Sequence, residues 1–102
     1  MDNYQELIER RKIVMTDMLT PYVSQDASPA RTQDQYKRIG KIVEGCRNLE
    51  RSPDGRSWLP EFYGGTPISS ACDTAWEIHC LTKETVQFMF NGVEIRMEDP
   101  LP

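Results

Sequence analysis

Val86-Gln87-Phe88-Met89-Phe90-Asn91-Gly92-Val93-Glu94-Ile95-Arg96-Met97 alternates in steps of two on either side of an Asn-Gly pair. Asn and Gly accept the left-handed backbone of a two-residue type I′ turn, so the stretch predicts a β-hairpin over residues 85–98. Such a turn pairs Phe90 with Val93, Phe88 with Ile95 and Val86 with Met97, and all six side chains fall on one face. A hairpin alone is marginal in water. Its apolar face must therefore pack on helices, join a third strand or be completed by another subunit.

Immediately upstream, residues 67–81 support two readings. With Thr66 as N-cap and Pro67 at the first helical position, Ile68, Ala71, Cys72, Ala75, Trp76 and His79 share one helical face, opposite Ser69, Ser70, Asp73 and Glu77. A strand is the other reading, since Trp76, Ile78 and Cys80 alternate with Glu77 and His79. Helix is the expected state, because start signal and period agree over a longer stretch than the alternation does. Before it, residues 52–66 read as an aromatic loop, with a turn at Ser52-Pro53-Asp54-Gly55 and a breaker at Gly64-Gly65.

The first half of the chain is helical. Tyr4, Leu7, Ile8, Val14, Met15, Met18 and Leu19 recur at helical spacing over residues 3–19, and Pro21 marks the stop. After a connection at residues 20–31, a second helix is predicted over residues 33–51, burying Tyr36, Ile39, Ile42, Val43, Cys46 and Leu49, with Thr32 and Asp34 at its start. Two helices of similar length joined by a modest loop fit an antiparallel pair. The expected fold class is α+β: an antiparallel helical hairpin, a short third helix (or strand) and the C-terminal β-hairpin. The runner-up replaces the third helix with a strand, giving a three-stranded meander on two helices. At 102 residues, 1–102 is expected to be a single domain.

Composition narrows the function classes. Hydrophobic residues are 38% and charged residues 27%, a balance that buries a core. No apolar run approaches a bilayer span, and Asp2-Asn3-Tyr4-Gln5-Glu6 is unlike a signal peptide, so no membrane association is expected. The odd count of three cysteines, Cys46, Cys72 and Cys80, fits reduced thiols and a cytoplasmic location. Net charge is −4, with six acidic and two basic residues in 69–102 against ten of each in 1–68. General electrostatic attraction to nucleic acid is thereby disfavoured.

Motifs that carry chemistry are not apparent. His79 is the single histidine, no Cys-x-x-Cys occurs, and Gly64-Gly65 lacks the glycine spacing and lysine of a phosphate loop. No catalytic residue, metal or other cofactor is expected, and the chain is read as non-enzymatic. The hairpin after a helix resembles a winged-helix DNA reader only superficially. Too many residues separate helices two and three, and Asp73 and Glu77 stand where a recognition helix carries Arg or Lys.

The candidate partner-binding residues are of three kinds. Arg11 interrupts the apolar face of the first helix, where a cation needs a partner. If Leu19 lies opposite Gln33, Arg11 falls beside Ile42 and far from Glu50, so a carboxylate from the C-terminal part or a bound anionic group is the expected mate. A snorkelling arginine at the core edge is the alternative. Trp58, Phe62 and Tyr63 either tuck under their loop or face a partner. Lys37, Arg38 and Lys41 lie on the helix face away from Ile39 and Val43, as a grip for a phosphate-rich or acidic partner or as an ordinary solvated exterior.

The function expected is that of a small acidic protein that binds a macromolecular partner, a protein first of all. By analogy of size and acidity, it is a phage-like or mobile-element inhibitor. A structural subunit of a larger assembly, a homo-oligomer or a virion, is the alternative. A small-ligand or nucleotide sponge using Arg11 and Trp58 is a weaker one.

Overall fold

The computed structural model describes residues 2–23 and 29–98, with side chains at all of these except 2–4, 8 and 29–32. Helix α1 (Asp2–Leu19) runs into a 3₁₀ turn (Thr20–Tyr22). Helix α2 (Pro29–Gly45), strands β1 (Asn48–Arg51) and β2 (Ser57–Glu61), helix α3 (Ile68–Thr82) and strands β3 (Thr85–Phe90) and β4 (Val93–Met97) follow. The class is α+β, and the sheet is four-stranded and mixed, in the order β1-β2-β3-β4. β1 and β2 are antiparallel, β2 and β3 are parallel neighbours joined through α3, and β3 and β4 form the hairpin.

The hairpin has the register its sequence dictates: Phe90 pairs with Val93, Phe88 with Ile95 and Val86 with Met97. Asn91 and Gly92 make the turn at φ 51 and 81. The buried face of β3 packs on α3 while β3 also joins β2, so the hairpin is completed in two of the ways its apolar face requires. Replacing Asn91 and Gly92 together with Val is expected to cost about 2 kcal/mol, because β-branched side chains resist positive φ. Chemical denaturation of the double variant checks this, and an unchanged midpoint would show that the turn does not hold the register.

Residues 67–81 are helical, as the start signal implies, although the helix begins at Ile68 with Pro67 as its cap residue. Thr66 does not cap it, and its hydroxyl donates instead to the Tyr63 carbonyl at 2.7 Å. Ala71, Ala75 and His79 are buried as the period predicts, whereas Ile68 and Trp76 of the same predicted face are about half exposed and Ile78, outside that face, is fully buried.

The second helix departs from its sequence reading at both ends. It starts at Pro29, with Thr32 already inside it, and stops at Gly45 instead of residue 51. Gly45 is where α2 meets α3: a Cβ there would come within 2.9 Å of Thr74 Oγ1. Leu49 continues the helical spacing of Ile42 and Cys46, yet it is buried from β1. Tyr36, expected in the core, is exposed.

α1 packs on α2, with a Lys12–Glu44 ion pair at 3.6 Å. Arg11 lies near enough to Cys46 for its charge to be felt at that thiol. Met15 and Leu19 are buried, whereas Leu7 and Val14 of the same predicted apolar face are exposed. The side chains of Tyr4 and Ile8, residues 24–28 of the 20–31 connection and the tail beyond Glu98 fall outside the described residues.

Candidate functional site

Pro60 shapes the one surface where candidate residues converge. Ser52 N–H donates to the Ser57 carbonyl at 2.9 Å, so alternation turns the backbone of Leu59 and Glu61 toward β1 and that of Trp58 and Pro60 toward β3. Proline has no N–H to give there. The parallel ladder accordingly covers only Ser57↔Thr85 and Trp58↔Val86. Beyond it the strands part, and a groove of about 560 Å³ opens between residues 60–66 on one bank and Met89, Phe90 and Asn91 on the other. Thus residues 52–66, read from the sequence as a loop throughout, contain β2, and only their second half is the loop that lines the groove.

Tyr63 on this bank covers Arg11, whose guanidinium carbon sits 5.5 Å from the centre of the ring. The contact follows from the chain path. Arg47 N–H donates to the Glu61 carbonyl at 2.7 Å, which sets the loop after β2 beside residues 46 and 47, where Arg11 already lies. The mate of Arg11 is thus an aromatic face of the 52–66 segment and not a carboxylate. Tyr63 is 42% exposed, and Leu7 and Val14, on the same side of α1 as Arg11 by helical spacing, are 62% and 64% exposed. Phe62 is half-buried and packs edge-to-face on Phe88 at 5.0 Å.

Trp58 has to be withdrawn from the partner-binding set: it is 0% exposed, at the centre of the core. Lys37, Arg38 and Lys41 are exposed on α2. Arg38 pairs with Glu77 of α3 at 3.9 Å, an exposed contact of the solvated-exterior kind.

A second cluster escaped sequence reasoning altogether. The Arg51 guanidinium lies against the rings of both Tyr22 and Trp58, 4.3 and 4.5 Å from their centres, and the two rings meet each other edge-to-face at 5.2 Å. Its Nη1 and Nη2 donate to the Glu84 carboxylate at 3.0 and 2.8 Å, and Nη2 also donates to the Gly55 carbonyl. The Trp58 indole N–H donates to the same carboxylate at 3.2 Å. Hydrogen bonds from Arg51 hold the Glu84 carboxyl below its ordinary range, against the opposing effect of burial. The groups satisfy one another, which is the character of a structural tie. Its only sequence signal was that Arg51 and Trp58 flank a turn.

His79 is buried, its Nδ1 2.8 Å from the Glu84 carbonyl oxygen and its ring against Trp76. Among the described residues no group of three His, Cys, Asp or Glu side chains is placed to hold a metal ion, and no helix is long and apolar enough to cross a membrane. The three cysteines are free; burial pushes the Cys46 thiol up to about 12, against a smaller lowering by Arg11, and its side chain packs in the core. No protein-family profile, curated protein or solved structure matches the chain, so its site rests on its own residues.

Proposed function

We propose that this chain is a small non-enzymatic protein that acts in the cytoplasm by binding a protein partner and obstructing that partner's other contacts. The observation that carries the reading is the Arg11–Tyr63 stack on the bank of the groove. Arginine and tyrosine are the residue types that dominate binding energy in protein interfaces, and here they are held in place before any partner arrives. Exposed Leu7 and Val14 extend the same surface with apolar area. Glu61, also on the bank, already pairs with Arg47 at 3.5 Å.

The test is retention of a partner captured on the immobilised chain from a lysate of its source cell. Tyr63→Ala and Arg11→Ala are each expected to weaken that partner roughly thirty-fold. Their melting temperatures should stay within about 3 °C of the parent, because neither side chain is buried in the core. Unchanged affinity in both variants overturns the assignment. So does loss of binding on Lys37→Ala and Lys41→Ala alone, which would move the interface to α2.

A further inference from the structure

Among the described residues β4 is an edge strand of the sheet with no strand beyond it, and its five residues read Val93-Glu94-Ile95-Arg96-Met97. In a hairpin closed by two residues, the flanking pair Phe90 and Val93 exchanges both of its hydrogen bonds. Alternation then points the N–H and C=O of Val93, Ile95 and Met97 toward β3, and those of Glu94 and Arg96 outward. Natural edges are usually blunted by proline, by a bulge or by an inward-pointing charge. Among the described residues β4 has none of these: its two charges, Glu94 and Arg96, are opposite in sign and lie on the other face from its inward side chains Val93, Ile95 and Met97, and Val93 is 61% exposed.

We propose that two copies of this chain pair antiparallel along β4, about a two-fold axis at Ile95. In that register Glu94 of one copy stands opposite Arg96 of the other, and the reciprocal pair repeats it. These are the residues whose backbone groups point outward, so all four outward groups of each edge are used, in four hydrogen bonds. The side chains agree with the backbone. Each Glu94 faces an Arg96 across the axis, replacing the exposed Glu94–Arg96 contact that each copy makes within itself at 3.4 Å. On the other face Ile95 meets its own copy and Val93 meets Met97, extending the apolar layer.

The opposite edge does not offer this. The outward backbone groups of β1 belong to Leu49 and Arg51, so a two-fold pairing centres on Glu50 and sets that carboxylate against its copy. The β4 pairing is independent of the Arg11–Tyr63 surface and adds an oligomeric state to it. Five residues a side is a small interface, so the dimer is expected to form reversibly with rising concentration.

Charge inversion combined with mixing tests the register. Sedimentation velocity on the full chain, from about 10 µM to about 1 mM, is expected to show the mass moving toward that of a dimer. Glu94→Arg and Arg96→Glu, each alone, should weaken association at least tenfold, because each sets like charges opposite one another. An equimolar mixture of the two variants should recover it, since every cross-axis pair is then opposite in sign. Glu94→Pro gives a backbone readout: it removes an outward N–H and no hairpin bond, and should abolish the dimer with the circular dichroism unchanged. A mass that stays monomeric throughout, a dimer indifferent to both inversions, or a mixture that fails to associate overturns the proposal. Growth beyond a dimer also overturns it, as the mark of β4 adding to β1.

Discussion

Trp58→Ala is expected to lower the free energy of unfolding by about 4 kcal/mol. The side chain is 0% exposed and is the largest of the fully buried ones, so truncation leaves a cavity that its neighbours cannot fill without leaving their own positions. Two further losses add to the cavity. The indole N–H no longer reaches the Glu84 carboxylate, and Arg51 loses one of the two rings it lies against. Domains of this size have only about 5–15 kcal/mol in hand, and the melting temperature should fall by roughly 20 °C. Trp58→Phe separates the terms, since it keeps most of the volume and removes the N–H; about 1.5 kcal/mol is expected for it. Thermal and urea unfolding of both variants decide the matter. A Trp58→Ala protein that melts like the parent would mean that the indole is not part of the core.

The same residue shows how far the sequence could be read. Trp58, Phe62 and Tyr63 look alike in a stretch rich in turn residues, yet they end in the core, half-buried on Phe88, and on the surface over Arg11. What separates them is the strand pairing of Arg51 with Trp58, which no local pattern announces. β1 has four residues with Leu49 its one aliphatic side chain, and Leu49 prolongs the helical period of Ile42 and Cys46. β2 contains Pro60, which argues against a strand unless the ladder on the side its nitrogen faces stops before it, as the β3 ladder does while pairing with β1 continues. By contrast the hairpin was legible down to its register, because Asn91-Gly92 and the period-two alternation are local signals that agree. Arg11 was legible as an anomaly, but its mate was not: a cation in an apolar stripe calls for compensation without saying whether a carboxylate or a ring supplies it.

The tie between Arg51 and Glu84 should make stability depend on pH in a definite sense. Residues 33 positions apart hold β1 to the segment between α3 and β3, through two charge-assisted hydrogen bonds with both side chains largely out of water. Arg51→Met leaves Glu84 half-buried without its cation and removes the contacts with Tyr22 and Trp58; about 3 kcal/mol is expected. Glu84→Gln keeps the shape and removes the charge, and about 2 kcal/mol is expected at pH 7. The sign of the pH effect follows from Glu84, whose folded pKa is lowered from an ordinary 4.5. A depressed carboxyl contributes its stability above the unfolded value and loses it as pH falls through the folded one. The parent and Glu84→Gln should therefore differ by the full amount at pH 7 and converge below about pH 4, while Arg51→Met should lose the acid dependence that Glu84 gives the parent. Urea midpoints at pH 7 and pH 3 measure both, urea being chosen because it does not screen charge. A gap between parent and Glu84→Gln that is as wide at pH 3 as at pH 7 would show that packing, and not the ionised carboxylate, holds β1 to the end of α3.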